Sequence, residues 1–480
     1  MNKRTKKILT WVLLPVFVCL AVAAVELGFN WKRMSLPAEQ QGEIALDLAS
    51  FVVTQAEPAP DAEAGEEGFE DEAFADEEEA EGPVVALADE NTQATLAWSG
   101  YIHQLKLSGQ VFNDTGYTVL CTLADGSTAS YSSTYNTVLA SDSITIDAEV
   151  TSLTLSAPAG GMTLQSITVD NATGVNQARA LFTALCALCA YLLVALHTLI
   201  GKKAEYGFLI VALAMGLFLS VALPRNTAES FDDQIHFNKV WNLSMGRDVK
   251  VTNSADALIN LTWTTKQGDT FVLTQDTEDE QRQLDALLDA GGDLENATAS
   301  IQRQWILTDA GYATQAAGLA LARAAGLPFH WQVIVARMFN MLTYVLLSFF
   351  AIKALKRYKM VFATVALRPA PMCMASCLSH DPTCLGLCML GTALLVDAIL
   401  DRDTLLSWQR ALVIPVCFVL AGCIKAVYMP LLLLVLLLPR SKFASNTARL
   451  WYKIGMMILM VAVVGSILLA IGEDVSNIED

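Results

Sequence analysis

The stretch WQVIVARMFNMLTYVLLSFFAIKAL, residues 331–355, decides the fold class. Its 25 residues include two basic side chains, Arg337 and Lys353, and no acidic one. An α-helix of that length is about 37 Å long, which exceeds the roughly 30 Å hydrocarbon core of a bilayer. The stretch therefore predicts a transmembrane helix.

Further apolar runs on both sides of this stretch have similar composition. Together they predict an α-helical polytopic membrane protein with about nine membrane segments, two of them short. The runs cover residues 8–25, 180–200, 206–223, 331–355, 360–378, 384–400, 411–423, 428–438 and 454–471. All but the first belong to a predicted multi-helix membrane domain at 179–471.

The N-terminus, residues 1–7, reads MNKRTKK and precedes the first apolar run. This pattern is typical of a secretory signal peptide or of a retained signal anchor. No small-residue cleavage site closes the run, so we favour an anchor helix at 8–26. Under either interpretation the segment that follows is translocated across the membrane, and residues 1–7 are in the cytoplasm.

The basic clusters set the predicted orientation. They occur at residues 3–7, 202–203, 353–359, 402–410 and 440–453, which all fall on one side if each run crosses once. Positively charged loops face the cytoplasm, so the N-terminus is expected inside. Residues 26–178, the loop 224–330 and the tail 472–480 then lie outside.

The net charge of −18 comes from one part of the chain. Between Met34 and His103 there are 18 acidic and no basic residues, which leaves 31 of each elsewhere. Residues 34–93, with EAGEEGFEDEAFADEEEAEG at their centre, predict an acidic disordered linker. No nucleic-acid partner is expected.

Residues 94–176 alternate polar and apolar side chains, as in SITIDAEV and TSLTLSAPAGGMTLQSITVDN. Turn signals such as Asp125-Gly126 separate the short stretches, which predicts a small extracytoplasmic β-sandwich-like domain. Carbohydrate or partner binding is one interpretation of this domain. A spacer or stabilising role is the other, and it is favoured.

The loop after the third run begins PRNTAESFDDQIHFNKVWNLSMG, residues 224–246. On a helix, Asp232 and His236 are four residues apart and Asp233 and His236 three, so the three side chains share a face. Two carboxylates and an imidazole can hold a divalent cation or act as a general base. An interfacial helix without chemistry is the alternative that spacing alone favours.

The stretch SFDDQIHFNKVWNLSMG resembles the first outer loop of a bacterial family of predicted membrane proteins, domain of unknown function 2142. Three further elements agree in order: WILTDAGYATQAAGLALARAAGLP, ALRPAPMCMASCLSHDPTCLGL and AGCIKAVYMPLLLLVLLLPRSKF. With VARMFNMLTYVLLSFFAIKAL between the first two, the resemblance covers roughly residues 223–443.

That family itself resembles the GT-C class of glycosyltransferases, which take sugars from polyprenyl-phosphate carriers and use acidic residues of the first outer loop. The resemblance implies a GT-C-like bundle in which Asp232 and Asp233 serve as catalytic base or metal ligands. The family's Glu-Pro is Asp233-Gln234 here, and its Tyr-Pro-Pro pattern is replaced by GYAT at 311–314. These departures put retention of activity in question.

Several matched residues are candidates for substrate binding. Arg337 and Lys425 are ionisable groups within apolar runs, where charges usually pair or face a polar cavity, and both can donate to a lipid phosphate. Snorkelling to the interface is the alternative, an equal one for Lys425. His380 and Asp381, in a short turn on the same side, and Tyr428 complete the predicted site.

The resemblance thus implies a glycosyltransferase of a bacterial plasma membrane that moves a sugar from a polyprenyl-phosphate carrier to a surface glycan among membrane lipids. Prolines 369 and 371 predict a kinked helix that lines a cavity. The alternatives are a non-enzymatic transporter of lipid-linked glycans and a surface-binding scaffold that uses the β-domain. Members of the GT-C class often continue beyond such a C-terminus, so a shortened chain is a further expectation.

Overall fold

The structure is a computed structural model. It describes residues 3–55, 83–89, 91–111, 115–135, 141–157, 161–223, 233–249, 300–302, 307–401 and 403–479, together with residues 282, 285, 286 and 289. Two compact units make up the chain. A helical unit comprises Met1–Ala23, Gln177–Val272 and Leu287–Asp480, and a β-unit comprises Ala24–Asn176 and Leu273–Ala286.

Twelve α-helices can be numbered along the described residues. They are α1 (Lys3–Met34), α2 (Gln177–Ala195), α3 (His197–Lys202), α4 (Ala204–Ala222), α5 (Asp233–Met245), α6 (Ala313–Ala324), α7 (Phe329–Ala354), α8 (Lys359–Ala366), α9 (Pro369–Ala375), α10 (Asp381–Leu400), α11 (Trp408–Ile424) and α12 (Asn446–Glu479). Short 3-10 helices occur at Leu307–Gly311 and Arg440–Lys442, and a longer one at Ala426–Leu437. Helix α1 begins in the helical unit and ends in the β-unit.

Six of these helices are long and apolar enough, within the described residues, to cross a membrane. These candidate spans lie in α1, α2, α4, α7, α10 and α12. The structure therefore gives several membrane helices, and the count of about nine stays a prediction. Helix α11 and the 3-10 helix Ala426–Leu437 are apolar but shorter.

The predicted run 360–378 is not one helix. It divides into α8 and α9 at Arg368, whose φ of −61° and ψ of 146° are extended. A residue that precedes proline is forced out of the helical region, and Pro369 then starts the next helix. The kink predicted from the prolines is thus a complete break.

Helix α12 continues to Glu479, and the outer location of residues 472–480 stays a prediction. In the loop predicted at 224–330, the described part contains α5, the short strands β9 (Arg247–Val249) and β10 (Ser300–Gln302), and α6. The two strands pair antiparallel with each other.

Helix α7 is the centre of the helical unit. Gly216 of α4 faces Met341, and Gly386 of α10 faces Leu347, so both neighbours approach α7 closely through glycine. A Cβ at either position would lie 2.5 to 2.8 Å from those side chains. The buried face of α7 includes Tyr344, whose hydroxyl donates to the carbonyl of Ala366 at 3.0 Å.

Helix α11 and the 3-10 helix Ala426–Leu437 form an antiparallel hairpin with Lys425 at its turn. Gly422 of α11 packs against Met429, and Phe418 shares a core with Leu432 and Val435. At the open end the backbone N–H of Leu406 donates to the carbonyl of Lys442 at 2.9 Å. The hairpin therefore runs the full length of α10, against which α11 packs.

The β-unit is built on one eight-stranded antiparallel sheet. Its strands are β1 (Gly42–Ala45), β2 (Val52–Gln55), β3 (Val85–Leu87), β4 (Thr92–Val111), β5 (Thr115–Leu123), β6 (Thr128–Tyr135), β7 (Ser141–Ser156) and β8 (Met162–Asn171). The order is β1-β8-β4-β7-β5-β6, with β2 on β4 and β3 on β8. Alternate side chains of β5 and β8 point into an apolar core, as the period-two pattern predicted. The sandwich arrangement stays a prediction.

The predicted linker 34–93 needs a correction, because three of these strands lie inside it. Strand β1 pairs with β8, β2 with β4 and β3 with β8, and Leu46, Phe51 and Val85 are buried in the core. Each of these strands has only three or four residues, and its pairing strand lies far along the chain. The acidic stretch at 56–82 lies outside the described residues.

Candidate functional site

Five polar side chains from four separate segments of the sequence meet at one end of the helical unit. They belong to His236 in α5, Tyr312 just before α6, His380 and Asp381 at the start of α10, and Lys425 at the hairpin turn. We refer to these five as the bundle-end cluster. All of them lie in the helical unit.

A tyrosine hydroxyl between two imidazoles forms the middle of the cluster. The Tyr312 Oη is 2.7 Å from Nδ1 of His236 and 2.9 Å from Nδ1 of His380. The three rings also contact one another, with centroids 5.2 to 5.6 Å apart. Tyr312 is 3 % exposed and His236 7 %, so these hydrogen bonds are screened from water.

An ion pair continues the cluster from His380. The Lys425 ammonium lies 2.7 and 3.0 Å from the two oxygens of Asp381, and Nε2 of His380 lies 3.6 Å from Oδ1 of the same carboxylate. The Lys425 side chain is 42 % exposed, whereas that of Asp381 is 16 % exposed. An ammonium has three donors, so Lys425 can contact Asp381 and a further anion together.

Backbone contacts hold the cluster in register. Gly311 lies so close to the start of α10 that an added Cβ would be 2.7 Å from Cβ of His380. The buried amide of Gln315 donates to the carbonyl of Ser379 at 2.6 Å, and that of Asn340 donates to the carbonyl of Cys377 at 2.8 Å. Thr383 donates to the carbonyl of Gly311 at 3.3 Å. These bonds fix the turn before α10 on the segment that carries Tyr312.

A comparison with protein-family models matches residues 215–480 to the predicted membrane protein family DUF2142. That range is 266 of the 480 residues, counted from 215 to 480 inclusive, and so more than half of the chain. The chain belongs to the DUF2142 family. No curated protein matches it.

The DUF2142 region contains the whole bundle-end cluster, as well as the other residues that the sequence predicted for the site. Of these, the structure brings together His236, His380, Asp381 and Lys425. Tyr428 is half-buried beside Cys384 and Ala421, one turn after Lys425, and its N–H donates to the Lys425 carbonyl at 3.0 Å.

Arg337 has a different setting from the one predicted. It is 2 % exposed, and its Nη1 donates to the carbonyl of Leu223, just after α4, at 2.9 Å. A guanidinium at the carboxyl end of a helix stabilises the last carbonyl groups of that helix. In this structure Arg337 therefore supports the end of α4, and its contact with a lipid phosphate stays a prediction.

The predicted acidic pair, Asp232 and Asp233, lies where the described part of the chain resumes. Asp232 lies outside the described residues, and Asp233 is the first residue of α5, with its backbone alone described. Among the described residues no three His, Cys, Asp or Glu side chains are arranged to hold a metal ion. The metal-binding role of the two aspartates stays a prediction.

The sequence did not single out Tyr312, Gln315 or Asn340. All three belong to stretches that carried the family resemblance, yet Tyr312 entered only as a departure from a Tyr-Pro-Pro pattern. A buried polar side chain within an apolar helix, such as Asn340 at 0 % exposure, signals a hydrogen bond between helices. Its partners, 25 and 37 residues away, cannot be read from spacing.

The opposite end of the DUF2142 helices contains a separate set of ion pairs. Lys359 contacts Glu205 at 2.8 Å, Lys356 contacts Asp401 at 2.7 Å, and Arg410 contacts Asp397 at 2.9 Å. The hydrogen bond from Lys356 lowers the pKa of Asp401 to about 2, so that carboxyl stays charged. The basic loops of the sequence thus gather at the end that lacks the bundle-end cluster.

Proposed function

We propose that this protein is a membrane glycosyltransferase that moves a sugar from a lipid-phosphate carrier to a glycan acceptor at the bundle-end cluster. The observation that carries the proposal is the convergence of His236, Tyr312, His380, Asp381 and Lys425 from four separate segments. A buried and a partly buried imidazole linked through a hydroxyl are suited to proton transfer. Lys425, half-exposed beside them, is suited to anion binding.

The position of the cluster supports a lipid-linked substrate. Asp381 begins a candidate membrane span and Lys425 follows the apolar helix α11, so both lie where a span ends. The phosphate of a lipid carrier lies at that depth, about 15 Å from the bilayer centre. The sugar attached to the phosphate then faces the imidazoles, while the lipid chain extends between the helices and the bilayer.

The charges at the two ends support an outer location for the site. Lys202, Lys203, Lys356 and Lys359 lie at the end opposite the cluster, and basic residues face the cytoplasm. A site at the other end is then on the extracytoplasmic face, where polyprenyl-phosphate sugars are used without a nucleotide. This orientation agrees with the one that the sequence predicts.

The proposed roles follow from charge and burial. Lys425 contacts the lipid phosphate while it keeps its bond to Asp381, which prevents an unpaired cation in the free enzyme. Asp232 and Asp233, four and three residues before His236, supply the carboxylates that the sequence assigns to the base or to a divalent cation. Arg337 holds the end of α4, from which the loop to these aspartates starts.

The test is transfer of radiolabelled sugar from a polyprenyl-phosphate donor by membranes that contain the full chain. Lys425→Gln is expected to raise the donor KM about tenfold or more, because a charge-assisted contact contributes roughly 1.5–3 kcal/mol. Asp232→Asn and Asp233→Asn are expected to abolish transfer in at least one case. The matched control is Asp397→Asn, which neutralises a buried, ion-paired aspartate at the opposite end.

The outcomes separate the candidate functions. Transfer that persists at full rate in Lys425→Gln, Asp232→Asn and Asp233→Asn at equal expression contradicts the site assignment. Transfer absent from the unmodified chain with a full panel of donors contradicts the enzyme. In that second case, movement of a fluorescent lipid-linked glycan across vesicles that contain the chain tests the transporter that the sequence left as an alternative.

A further inference from the structure

Arg368, at the break between α8 and α9, has a charged side chain that the fold leaves exposed. Its guanidinium takes part in none of the hydrogen bonds, ion pairs or ring contacts of the residues that the structure describes. Its backbone N–H donates to the carbonyl of Val365 at 3.4 Å. Among the described residues, no carboxylate therefore compensates the positive charge of Arg368.

Hydrogen bonding and packing place Arg368 near the middle of the membrane helices. The Tyr344 hydroxyl donates to the carbonyl of Ala366, two residues before Arg368, at 3.0 Å. Tyr344 lies 15 residues after the start of α7 and 10 before its end, or about 22 and 15 Å at 1.5 Å per residue. Four residues after Arg368, Met372 packs against Gly216 in the interior of α4. Because α4 and α7 are candidate membrane spans, Arg368 lies at the depth of the hydrocarbon core.

The surface around Arg368 is otherwise apolar and open. Val361 and Val365 are 56 and 46 % exposed, and they precede Arg368 by seven and three residues, so the three side chains share a face at the end of α8. The opposite face of α8 is buried at Ala363 and Ala366. Exposed apolar side chains of a membrane helix contact lipid chains. Arg368 therefore faces lipid.

A lipid-facing cation at this depth needs an anion or water. A charge in the hydrocarbon core is costly unless it is paired or the bilayer thins and admits water beside it. Snorkelling removes this cost for side chains near the ends of spans, whereas Arg368 is near the middle. The backbone has the same need, because Pro371 lacks the N–H that would bond to the carbonyl of Leu367. Irregular backbone at membrane depth is tolerated where water reaches it.

We propose that Arg368 binds the phosphate of a membrane lipid inside the bilayer and thereby lets phospholipid headgroups cross between the two leaflets. A guanidinium matches phosphate through two parallel N–H···O bonds, and both leaflets supply this anion. The water that enters with the headgroup also solvates the carbonyl of Leu367. The lipid chains stay in the bilayer throughout, against Val361 and Val365. The crossing is passive and runs in both directions.

A carboxylate on the membrane helix of another protein is the competing anion for Arg368. The break in the backbone favours the lipid. A helix packed on this face would exclude water and leave the carbonyl of Leu367 without a donor, whereas a lipid headgroup brings water with it. The inference does not depend on the proposed glycosyltransferase, since it concerns the lipid-facing surface before α9 and not the bundle-end cluster.

The test measures lipid crossing in sealed vesicles of phosphatidylcholine and phosphatidylglycerol that contain the full chain. Phosphatidylglycerol with a fluorescent nitrobenzoxadiazole group on one acyl chain is present in both leaflets, and dithionite added outside bleaches the outer leaflet alone. Lipids that cross expose the inner pool to bleaching. We expect a rate about tenfold or more above that of protein-free vesicles, the factor that a charge-assisted hydrogen bond gives. A rate equal to that of protein-free vesicles overturns the proposal.

Three variants assign the crossing to Arg368. Arg368→Leu is expected to lower the rate about tenfold or more, whereas Arg368→Lys retains a cation that binds phosphate and most of the rate. The matched control is Lys353→Leu, which removes another exposed cation at the end of α7 and should leave the rate unchanged. Equal rates in Arg368→Leu and the unmodified chain overturn the proposal. Thermal unfolding in detergent verifies folding, and Arg368→Gln replaces Arg368→Leu if the latter is unfolded.

Further arms separate a phosphate site from a leak and from an acidic helix. Labelled glucosylceramide, whose headgroup has no phosphate, should cross more slowly than phosphatidylglycerol, and equal acceleration of both overturns phosphate binding. Bleaching of an entrapped water-soluble dye at the rate of the lipid shows leakage and overturns the crossing. Absent crossing, together with energy transfer between the unmodified chain and a synthetic apolar helix with a central glutamate, assigns Arg368 to an acidic helix instead. No sugar donor is present, so these results are independent of the glycosyltransferase assay.

Discussion

Gly311 offers a sensitive test of the cluster geometry, because it has room for hydrogen alone. A Cβ on this residue would lie 2.7 Å from Cβ of His380 and 2.7 Å from Cγ2 of Ile424. The end of the Ile424 side chain can rotate away. The Cβ of His380 cannot, since it is attached to the backbone at the start of α10.

The size of the displacement follows from the contact distance. Carbon atoms in good contact are about 3.5 Å apart, so His380 must retreat by roughly 0.8 Å in Gly311→Ala. Added to the 2.9 Å between Tyr312 and His380, this retreat breaks their hydrogen bond. Overpacking of this kind costs about 1–3 kcal/mol of stability.

The assay combines thermal unfolding in detergent with the histidine NMR spectrum. Gly311→Ala is expected to lower the free energy of unfolding by about 1–3 kcal/mol and to alter the His380 signal. Gly318→Ala is the matched control, because its Cβ would be 2.7 Å from Phe339 and distant from the two histidines. It should lose comparable stability and keep the signal. Gly455→Ala, with nothing within 4 Å, should lose neither.

The reasoning fails if Gly311→Ala is as stable as the unmodified protein and its His380 signal is unchanged. That result would mean that the turn before α10 is free to move away from Tyr312, and the cluster would then lack a fixed geometry. A loss of stability equal to that of Gly318→Ala with an unchanged signal would also refute the link between Gly311 and His380.

Three further predictions concern other parts of the chain. Asp397→Ala removes a buried carboxylate that contacts the partly exposed Arg410 and accepts from the N–H of Lys356 at 2.9 Å. It is expected to cost about 2–3 kcal/mol in detergent unfolding, and an unchanged midpoint contradicts this. Cys121 is fully buried, and burial raises its pKa to about 11. Maleimide, mapped by mass spectrometry, should therefore label Cys121 only after the protein unfolds. Rapid labelling of the native protein would contradict the burial of Cys121. Partial burial raises the pKa of Asp147, but hydrogen bonds led by that from Tyr101 at 2.5 Å outweigh this and lower it overall. The contribution of Asp147 to stability is therefore present above about pH 4 and is lost as the pH falls through the lowered pKa. Asp147→Asn should reduce the loss of stability in acid, measured by fluorescence of the β-unit. Unchanged acid sensitivity would contradict the hydrogen bond from Tyr101 to Asp147.

The membrane character of the chain was predictable because it depends on local composition. A mainly apolar stretch of 25 residues forms a helix in a bilayer, because only the helix satisfies its backbone groups where no water is present. The break at Pro369 was likewise visible as a kink, since proline acts on its immediate neighbours. That the helix would end completely, rather than bend, was not predictable, because this depends on how α8 and α9 pack against α4 and α7.

The β-unit shows why composition can mislead. Residues 34–93 are so acidic as a whole that their average composition does not show the three short strands inside them. Residues of β1 adopt a strand only because they form backbone hydrogen bonds with β8, about 125 residues later. Pairing over such a distance leaves no local periodicity in three or four residues.

The candidate site was predicted in part. His380, Asp381 and Lys425 were recognisable as charges at the ends of apolar runs, and the structure brings them together. Tyr312 was not recognisable, because a tyrosine gains its role here from imidazoles 76 and 68 residues away. A hydroxyl that bridges two rings is a property of packing and leaves no trace in residue spacing.

The hairpin of α11 and the 3-10 helix Ala426–Leu437 has arms of unequal residue count, 17 against 12. An α-helix of 17 residues is about 25 Å long, and a 3-10 helix of 12 residues is about 24 Å long because it rises about 2.0 Å per residue. The second arm thus matches the first by being stretched. If it relaxed to an α-helix it would shorten by about 6 Å, and either Lys425 would be drawn from Asp381 or Lys442 from the carbonyl of Thr404 at the other end. The 3-10 geometry thus lets 12 residues span the length of a 17-residue α-helix, with Lys425 beside Asp381 at one end and Lys442 beside Thr404 at the other.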